Sequence, residues 1–499
     1  MKKIFLYMTA GLLSLTACEL DINDDPNYPS DADVTADLLF PSVENYIADC
    51  VGDQMFNYAG FFAQYFEQAP TANQYNDLAE LNLDEGSDLF VRCYRNLYAG
   101  ALTDIQEILA KTDNPSDIFA CTVMRVQAFQ LLVDNLSDAP YSEALLGVAN
   151  AQPKWDDGKT IYEGVLAELD AAEAQLGNAD LTLNDPLLNG NLSQWRGYAN
   201  ALRLRMYLRL IDAGVNASDY TNKVKSLISN PNNFFKGDVT WDVYSNASGQ
   251  YNPWYDGYYS LGTINHCAAY PIVSYMDATA DPRISYAFDK SAETKAYEGQ
   301  LPGAKTATGD WLGISSGYNN DYVSLVKYKV TCAMPIYLFT QSELQFLIAE
   351  AQLRFNNNDE AAKSAYELGV TSDFDSKGAE EGAVDAFLSA SKTAWKGDAN
   401  AKLELIYKQK WVALFMRDHM EAWSEIRRTD VPKLSNAKAA DIFENPAVYN
   451  PGDMIDPAVN HIVAGGLAKR VPYPSIARSL NPNTPTAKTL NEKVFWDVK

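Results

Sequence analysis

The chain of 499 residues carries 40 Lys and Arg against 65 Asp and Glu, a formal charge of −25 at pH 7, with 47% hydrophobic and 21% charged residues. That composition buries a core and excludes a largely disordered chain, and so acidic a balance without a basic patch argues against nucleic acid as a partner. At roughly 150 residues per domain the length allows about three domains, a prior that an interleaved fold breaks.

Met1-Lys2-Lys3 is a positive start, and the fourteen apolar or small residues Ile4 to Ala17 fall short of the roughly 20 that a spanning helix needs. Residues 1–17 therefore read as a signal peptide. Leu15-Thr16-Ala17-Cys18 looks like the lipobox of a bacterial lipoprotein, in which cleavage frees Cys18 for acylation. No later stretch reaches 18 uninterrupted apolar residues, so lipid on Cys18 is the expected membrane attachment. Residues 18–39 read as an acidic, proline-stopped tether. Asp21-x-Asn23-x-Asp25 imitates the start of a calcium loop, but Pro26 stands where that loop needs Gly and Ala32 where it needs Glu. Cys50, Cys93, Cys121, Cys267 and Cys332 form an odd set without CxxC spacing, which predicts buried thiols, at least one of them unpaired, and no metal.

Helical periodicity dominates the rest. Phe90 to Ala110 and Asp117 to Leu136 read as one helix pair. Thr160-x-x-Glu163 is a capping box, and Ile161, Val165, Leu169, Ala172 and Leu176 follow on one helical face. Trp195, Ala199, Leu202, Met206 and Leu210 do the same, so 160–213 reads as a second, antiparallel pair. Thr340-x-x-Glu343 to Phe355 with Asp359 to Gly369, then Leu403 to Arg428, continue the pattern. Pairs of this kind cannot bury their own apolar faces, which predicts a mainly α, tetratricopeptide-like stack of helix pairs at about 87–230 and 336–430, with a C-terminal segment 431–499.

Between 231 and 335 the pattern turns to Gly, Pro, Asn and aromatics, and a long loop-rich insertion in a helical scaffold is usually functional. Residues 234–259 hold nine aromatics where the chain average of 12% predicts about three. Rings interleaved with amides and carboxylates suit a sugar, whose C–H face packs on the ring while its hydroxyls bond to the polar groups. Trp254 is expected as the main stacking platform, with Tyr251, Tyr255, Tyr258 and Trp311 beside it and Asn252 and Asp256 holding hydroxyls. The same spacing also fits a short helix that packs these rings inward; in that case the site moves to Trp311 and Tyr318 or to the Tyr65–Tyr75 segment.

No enzyme signature stands up. Gly313-Ile314-Ser315-Ser316-Gly317 fits GxSxG but lacks the strand before it and the helix after it. His266, His419 and His461 are the only histidines and show no ligand spacing, so neither metal nor cofactor is expected. A glycoside hydrolase needs only two carboxylates and is the enzymatic alternative to a binding protein.

Leu131-Leu132-Val133-Asp134-Asn135-Leu136-Ser137-Asp138-Ala139-Pro140-Tyr141-Ser142-Glu143-Ala144 resembles the helix end and GDxPYxEA turn of the SusD/RagB family of nutrient-binding outer-membrane lipoproteins. Leu97 to Asp104, Phe346-Leu347-Ile348-Ala349-Glu350-Ala351, Ile406 to Trp411, Glu421 to Asp430 and Arg470-Val471-Pro472-Tyr473-Pro474 are similar to further landmarks of its second SusD-like branch. Ser137 departs from the usual Gly, and Ala477 from an expected Glu. The resemblance implies a single SusD-like domain over 40–499 that captures oligosaccharide and hands it to a SusC-like, TonB-dependent transporter of the outer membrane. Peptide capture of the RagB kind is the alternative cargo. Acidic residues after Cys18 resemble the surface-export signal of Bacteroidetes lipoproteins, implying a body that faces the cell exterior. Arg427 and Arg428 are read as structural, facing their helix's negative pole, and Glu350 as paired within the stack.

Overall fold

The computed structural model describes residues 34–84, 86–259, 262–327, 332–463 and 466–499. The signal peptide, Cys18 and most of the tether lie outside the described residues. The fold is mainly helical, with two small antiparallel sheets of two strands each.

Helix Pro115–Leu136 lies at the centre. Asn114 caps it by accepting from Ser116 N (2.9 Å), and Pro115 occupies the first turn, where a missing N–H costs nothing. Among the described residues it alone is long and apolar enough to cross a membrane, yet 89% of its most apolar stretch is buried inside the protein. A helix apolar all round belongs in a core. It stops at Ser137, whose φ of +68° is the left-handed value that explains the Gly usual at this turn.

The expected pairs are regrouped: helix Gly158–Gln175 packs chiefly on the central helix, helix Leu192–Asp212 chiefly on Ala217–Leu227, and the stretch read as Phe90 to Ala110 on helix Ala36–Asp49, with Ile161, Val165, Leu169, Trp195, Leu202 and Met206 fully buried. The capping-box reading of Thr160 is corrected here. Asp157 is the cap, accepting from Thr160 N (3.0 Å) and Thr160 Oγ1 (2.7 Å), so the helix begins a turn earlier. At the next pair, Gln341–Phe355 with Asp359–Ser376, Thr340 does cap, accepting from Glu343 N at 3.0 Å. Glu343 does not complete the box because its carboxylate receives both arms of Arg205, at 2.9 and 2.7 Å. The segment read as continuous from Leu403 to Arg428 is two helices, Ala399–Leu414 and His419–Thr429, broken where Met416 takes φ +57°.

Among the described residues, helices Ala36–Asp49 and Met55–Phe62, joined by a π-turn, Cys50–Gln54, and the short Asn76–Ala79 precede the expected first pair. Pro41 and the glycines disguised them. Gly100 shows why small residues recur here: a Cβ on it would sit 2.6 Å from the Tyr46 ring, so helix Ala36–Asp49 lies directly on the second π-turn, Asn96–Leu102.

The insertion is more ordered than its composition suggests. Strand His266–Ala268 pairs with Phe66–Gln68, and Val239–Trp241 with Ile336–Phe339, which pins its ends to the helical body. Helices Pro253–Tyr259, Tyr270–Ala278 and Lys305–Trp311 lie between. Pro253 and Pro271 stand in the first turns of their helices, where a missing N–H costs nothing.

Charge is built into the core. Arg209 bonds Asp134 (2.7 Å) and Glu421 (2.6 Å), Lys410 meets Glu425 (3.1 Å), and Arg428 holds Glu350 and Glu425, all within 9% side-chain exposure. Arg427 donates to the carbonyls of Asp134 (2.8 Å) and Lys469 (2.9 Å). Both arginines are structural, through partners on other elements and through Trp423, Ser424 and Glu425 of their own helix.

Candidate binding cleft

An open cleft of about 530 Å³ forms where the first π-turn, the loop after strand Phe66–Gln68, the segment up to Arg92 and helix Pro253–Tyr259 meet. A π-turn adds a residue to the helical ladder and re-aims the side chains beside it, a device common at functional sites. Here it presents Asp53 and Gln54. Gln54 Oε1 accepts from Cys93 N at 3.2 Å and so ties the turn to the wall carrying Arg92, whose guanidinium pairs with Asp53. Burial pushes the Asp53 carboxyl up, Arg92 pulls it down and Asp49 pushes it up again, leaving it at about 6.

Tyr75 stands on the opposite wall, half-buried. Its backbone N–H donates to Gln68 Oε1 (2.5 Å), and Gln74 Nε2 donates to its hydroxyl (3.2 Å) while Gln74 Oε1 accepts from Asn265 (2.9 Å). Burial and Asp53 raise its phenol to about 12, so it stays a neutral hydroxyl. Asn57, Asp77 and Asp88 complete the polar lining. An aromatic ring, amides and carboxylates around an open space can hold a neutral, hydroxyl-rich ligand by packing on one side and hydrogen bonds on the other.

The residues expected from sequence are placed differently. Trp254 is 1% exposed, stacked on Phe66 at 5.6 Å and 11° with its edge on Phe56 at 5.2 Å. Its faces serve the core, and only its margin reaches the cleft floor, so the surface-platform reading is corrected. The cause is Asn252: its Oδ1 accepts from Trp254 N (3.0 Å) and Tyr255 N (3.4 Å), starting a helix that turns both rings inward. Asn252 is fully buried and its amide N–H donates to Met334 O (2.8 Å), which leaves it no hydroxyl to hold. Tyr255, 8% exposed, packs edge-on against Tyr251 at 5.2 Å. Asp256 is exposed, and the side chain of Tyr258 lies outside the described residues. Trp311 lines a separate cleft. The structure thus brings Trp254 to the Tyr65–Tyr75 segment and leaves Trp311 apart. Asp53, Gln54, Asn57 and Arg92 were missed, and no motif marks them.

The residues weighed for catalysis have other surroundings. Ser315 sits in a 3₁₀ turn, bonded to Asp310 Oδ1 at 2.9 Å. His419 is buried, its Nε2 accepting from Met416 N (2.9 Å) with Nδ1 on Phe56 O (2.9 Å), and burial lowers it to about 3. Among the described residues no group of His, Cys, Asp and Glu can hold a metal ion.

Stacked helix pairs carrying an open polar cleft on their irregular segments define the class: this is the fold of SusD homologues. A chitin-binding SusD homolog from Flavobacterium johnsoniae superposes with a TM-score of 0.73 at 20% identity, over 93% of this chain and 98% of that one. A SusD homolog from Bacteroides fragilis NCTC 9343 gives 0.72 at 20% identity, covering 93% and 99%, and one from Bacteroides uniformis ATCC 8492 gives 0.68 at 22%, covering 92% and 99%. At such identities the likeness is one of fold. No curated protein matches the chain. Residues 26–449 match the SusD-like family described as starch-binding and associating with the outer membrane, and the chain belongs to that family.

Proposed function

We propose that this protein is a glycan-capturing lipoprotein, anchored through lipid on Cys18 to the exterior face of the outer membrane, that delivers oligosaccharide to a SusC-like, TonB-dependent transporter. The observation that carries the reading is the cleft, in which the Tyr75 ring stands among Gln74, Asn57 and the Asp53–Arg92 pair with open space before it. Membership of a family described as starch-binding supports a saccharide cargo, and the lipobox-like Leu15-Thr16-Ala17-Cys18 supports the anchor. The protein binds and does not cleave. A glycan array run beside a peptide pull-down tests it with the intact chain and with Tyr75→Ala. Glycan signals that Tyr75→Ala weakens by roughly 1–3 kcal/mol, by analogy with stacking of bases on aromatic rings, are expected. Peptide capture with a blank array defeats the glycan reading, and release of shortened oligosaccharides defeats the non-enzymatic one.

A further inference from the structure

The separation of Trp311 from Trp254 leaves a second cleft, about 570 Å³, between helix Lys305–Trp311 and the 438–461 segment. Trp311 forms one side. It is partly exposed and rests on Phe443, ring centroids 5.1 Å apart, above an apolar base that includes Leu301 and Ile442. The other side is polar and fixed. Asp456 is clamped between Lys438 Nζ at 2.6 Å and His461 Nε2 at 2.8 Å, and exposed Asn460 lies at the rim. Against the Asp456 carboxylate Nε2 is the donor, which in the neutral imidazole leaves Nδ1 as the acceptor. That Nδ1 is buried and has no hydrogen-bond partner among the described residues. A buried acceptor left without a partner is costly, and a ligand hydroxyl entering the cleft is the donor it lacks.

The two clefts are mechanically joined. Lys305, at the start of the Trp311 helix, donates to Ala72 O (2.7 Å), Asn73 Oδ1 (2.6 Å) and Asn76 Oδ1 (2.9 Å), gripping the loop that carries Gln74 and Tyr75. At 1.5 Å per residue, the six steps from Lys305 to Trp311 separate their backbones by about 9 Å along the helix.

We propose that the Trp311 cleft is a second saccharide subsite, with Trp311 packing on a sugar face and His461 Nδ1 accepting from a hydroxyl, so that a long chain engages both clefts. This rests on the glycan reading of the protein. A polymer held at two linked subsites gains from effective concentration, whereas a short oligosaccharide fills only one.

Calorimetric titration of the intact protein with chitohexaose and maltoheptaose, and with the disaccharides chitobiose and maltose, tests the subsite. Trp311→Ala is expected to weaken a hexamer or heptamer at least about fivefold while leaving the matching disaccharide within twofold, whereas Tyr75→Ala weakens both. Because Trp311 also packs on Phe443, His461→Ala serves as the second variant; it removes the acceptor without a large ring and is expected to show the same length-dependent loss with an unchanged melting temperature. Long-chain affinity within twofold of the parent in both variants, with Tyr75→Ala still impaired, overturns the subsite and leaves the glycan reading standing. Failure of the intact protein to bind any of the four saccharides at millimolar concentration overturns both.

Discussion

Arg428 holds Glu350 by two parallel bonds, Nη1 to Oε1 at 2.8 Å and Nη2 to Oε2 at 2.6 Å, with both side chains 1% exposed. Burial pushes the Glu350 carboxyl up, yet Arg428 and Arg354 overcome it and hold it at about 2. Removing one partner of such a pair strands a buried charge, so Glu350→Ala should cost about 3–5 kcal/mol in urea unfolding at pH 7. The sign with pH follows from a depressed acid: the contribution is present above the unfolded value near 4.5 and fades as pH falls toward 2. The gap between parent and Glu350→Gln should therefore shrink from pH 5 to pH 2.5, and a gap that widens would contradict the pairing.

Trp254→Ala is expected to behave as a core deletion, losing about 3–5 kcal/mol of stability because the ring stacks on Phe66 and abuts Phe56. A variant that melts with the parent but binds ligand less well would restore the platform role.

Asp53 has the opposite sign. Its carboxyl is raised to about 6, chiefly by burial, so its ionisation opposes folding, an effect absent below the unfolded value near 4 and complete above about 6. Asp53→Asn should gain melting temperature relative to the parent as pH rises from 4 to 7. Parallel curves would show that Arg92 cancels the burial.

Cys50, Cys93, Cys121 and Cys267 are free and buried, while Cys332 is half-buried. Burial raises the Cys267 and Cys50 thiols well above their ordinary value, which suppresses the reactive thiolate. An aromatic disulfide reagent is expected to modify Cys332 first in the native protein and all five after denaturation. Fewer than five would reveal a disulfide.

The helices were legible because burial writes itself every three or four residues, as Ile161, Val165 and Leu169 do, but their partners were not, since periodicity marks an apolar face and not what covers it. Their ends were less so, since Asp157 and Thr160 are both good caps and only packing chooses between them. The site was partly legible. An aromatic excess around Trp254 marks where rings gather, but whether a ring faces solvent or Phe66 depends on Asn252, whose cap acts through three-dimensional contacts. Asp53 and Arg92 lie 39 positions apart and meet only because a π-turn and the Gln54–Cys93 tie bring them together; neither leaves a periodic trace.

Asp134 receives bonds from Arg209 (2.7 Å), Tyr162 (2.5 Å) and Trp496 Nε1 (2.8 Å), partners spread from residue 162 to residue 496. A chain made from its N-terminus exposes this carboxylate to an unfinished interior for most of its synthesis. The central helix can then be capped and paired early but not closed until Trp496 arrives. A cut ahead of Trp496 would take from Asp134 a partner in the middle of the core, far from the cut.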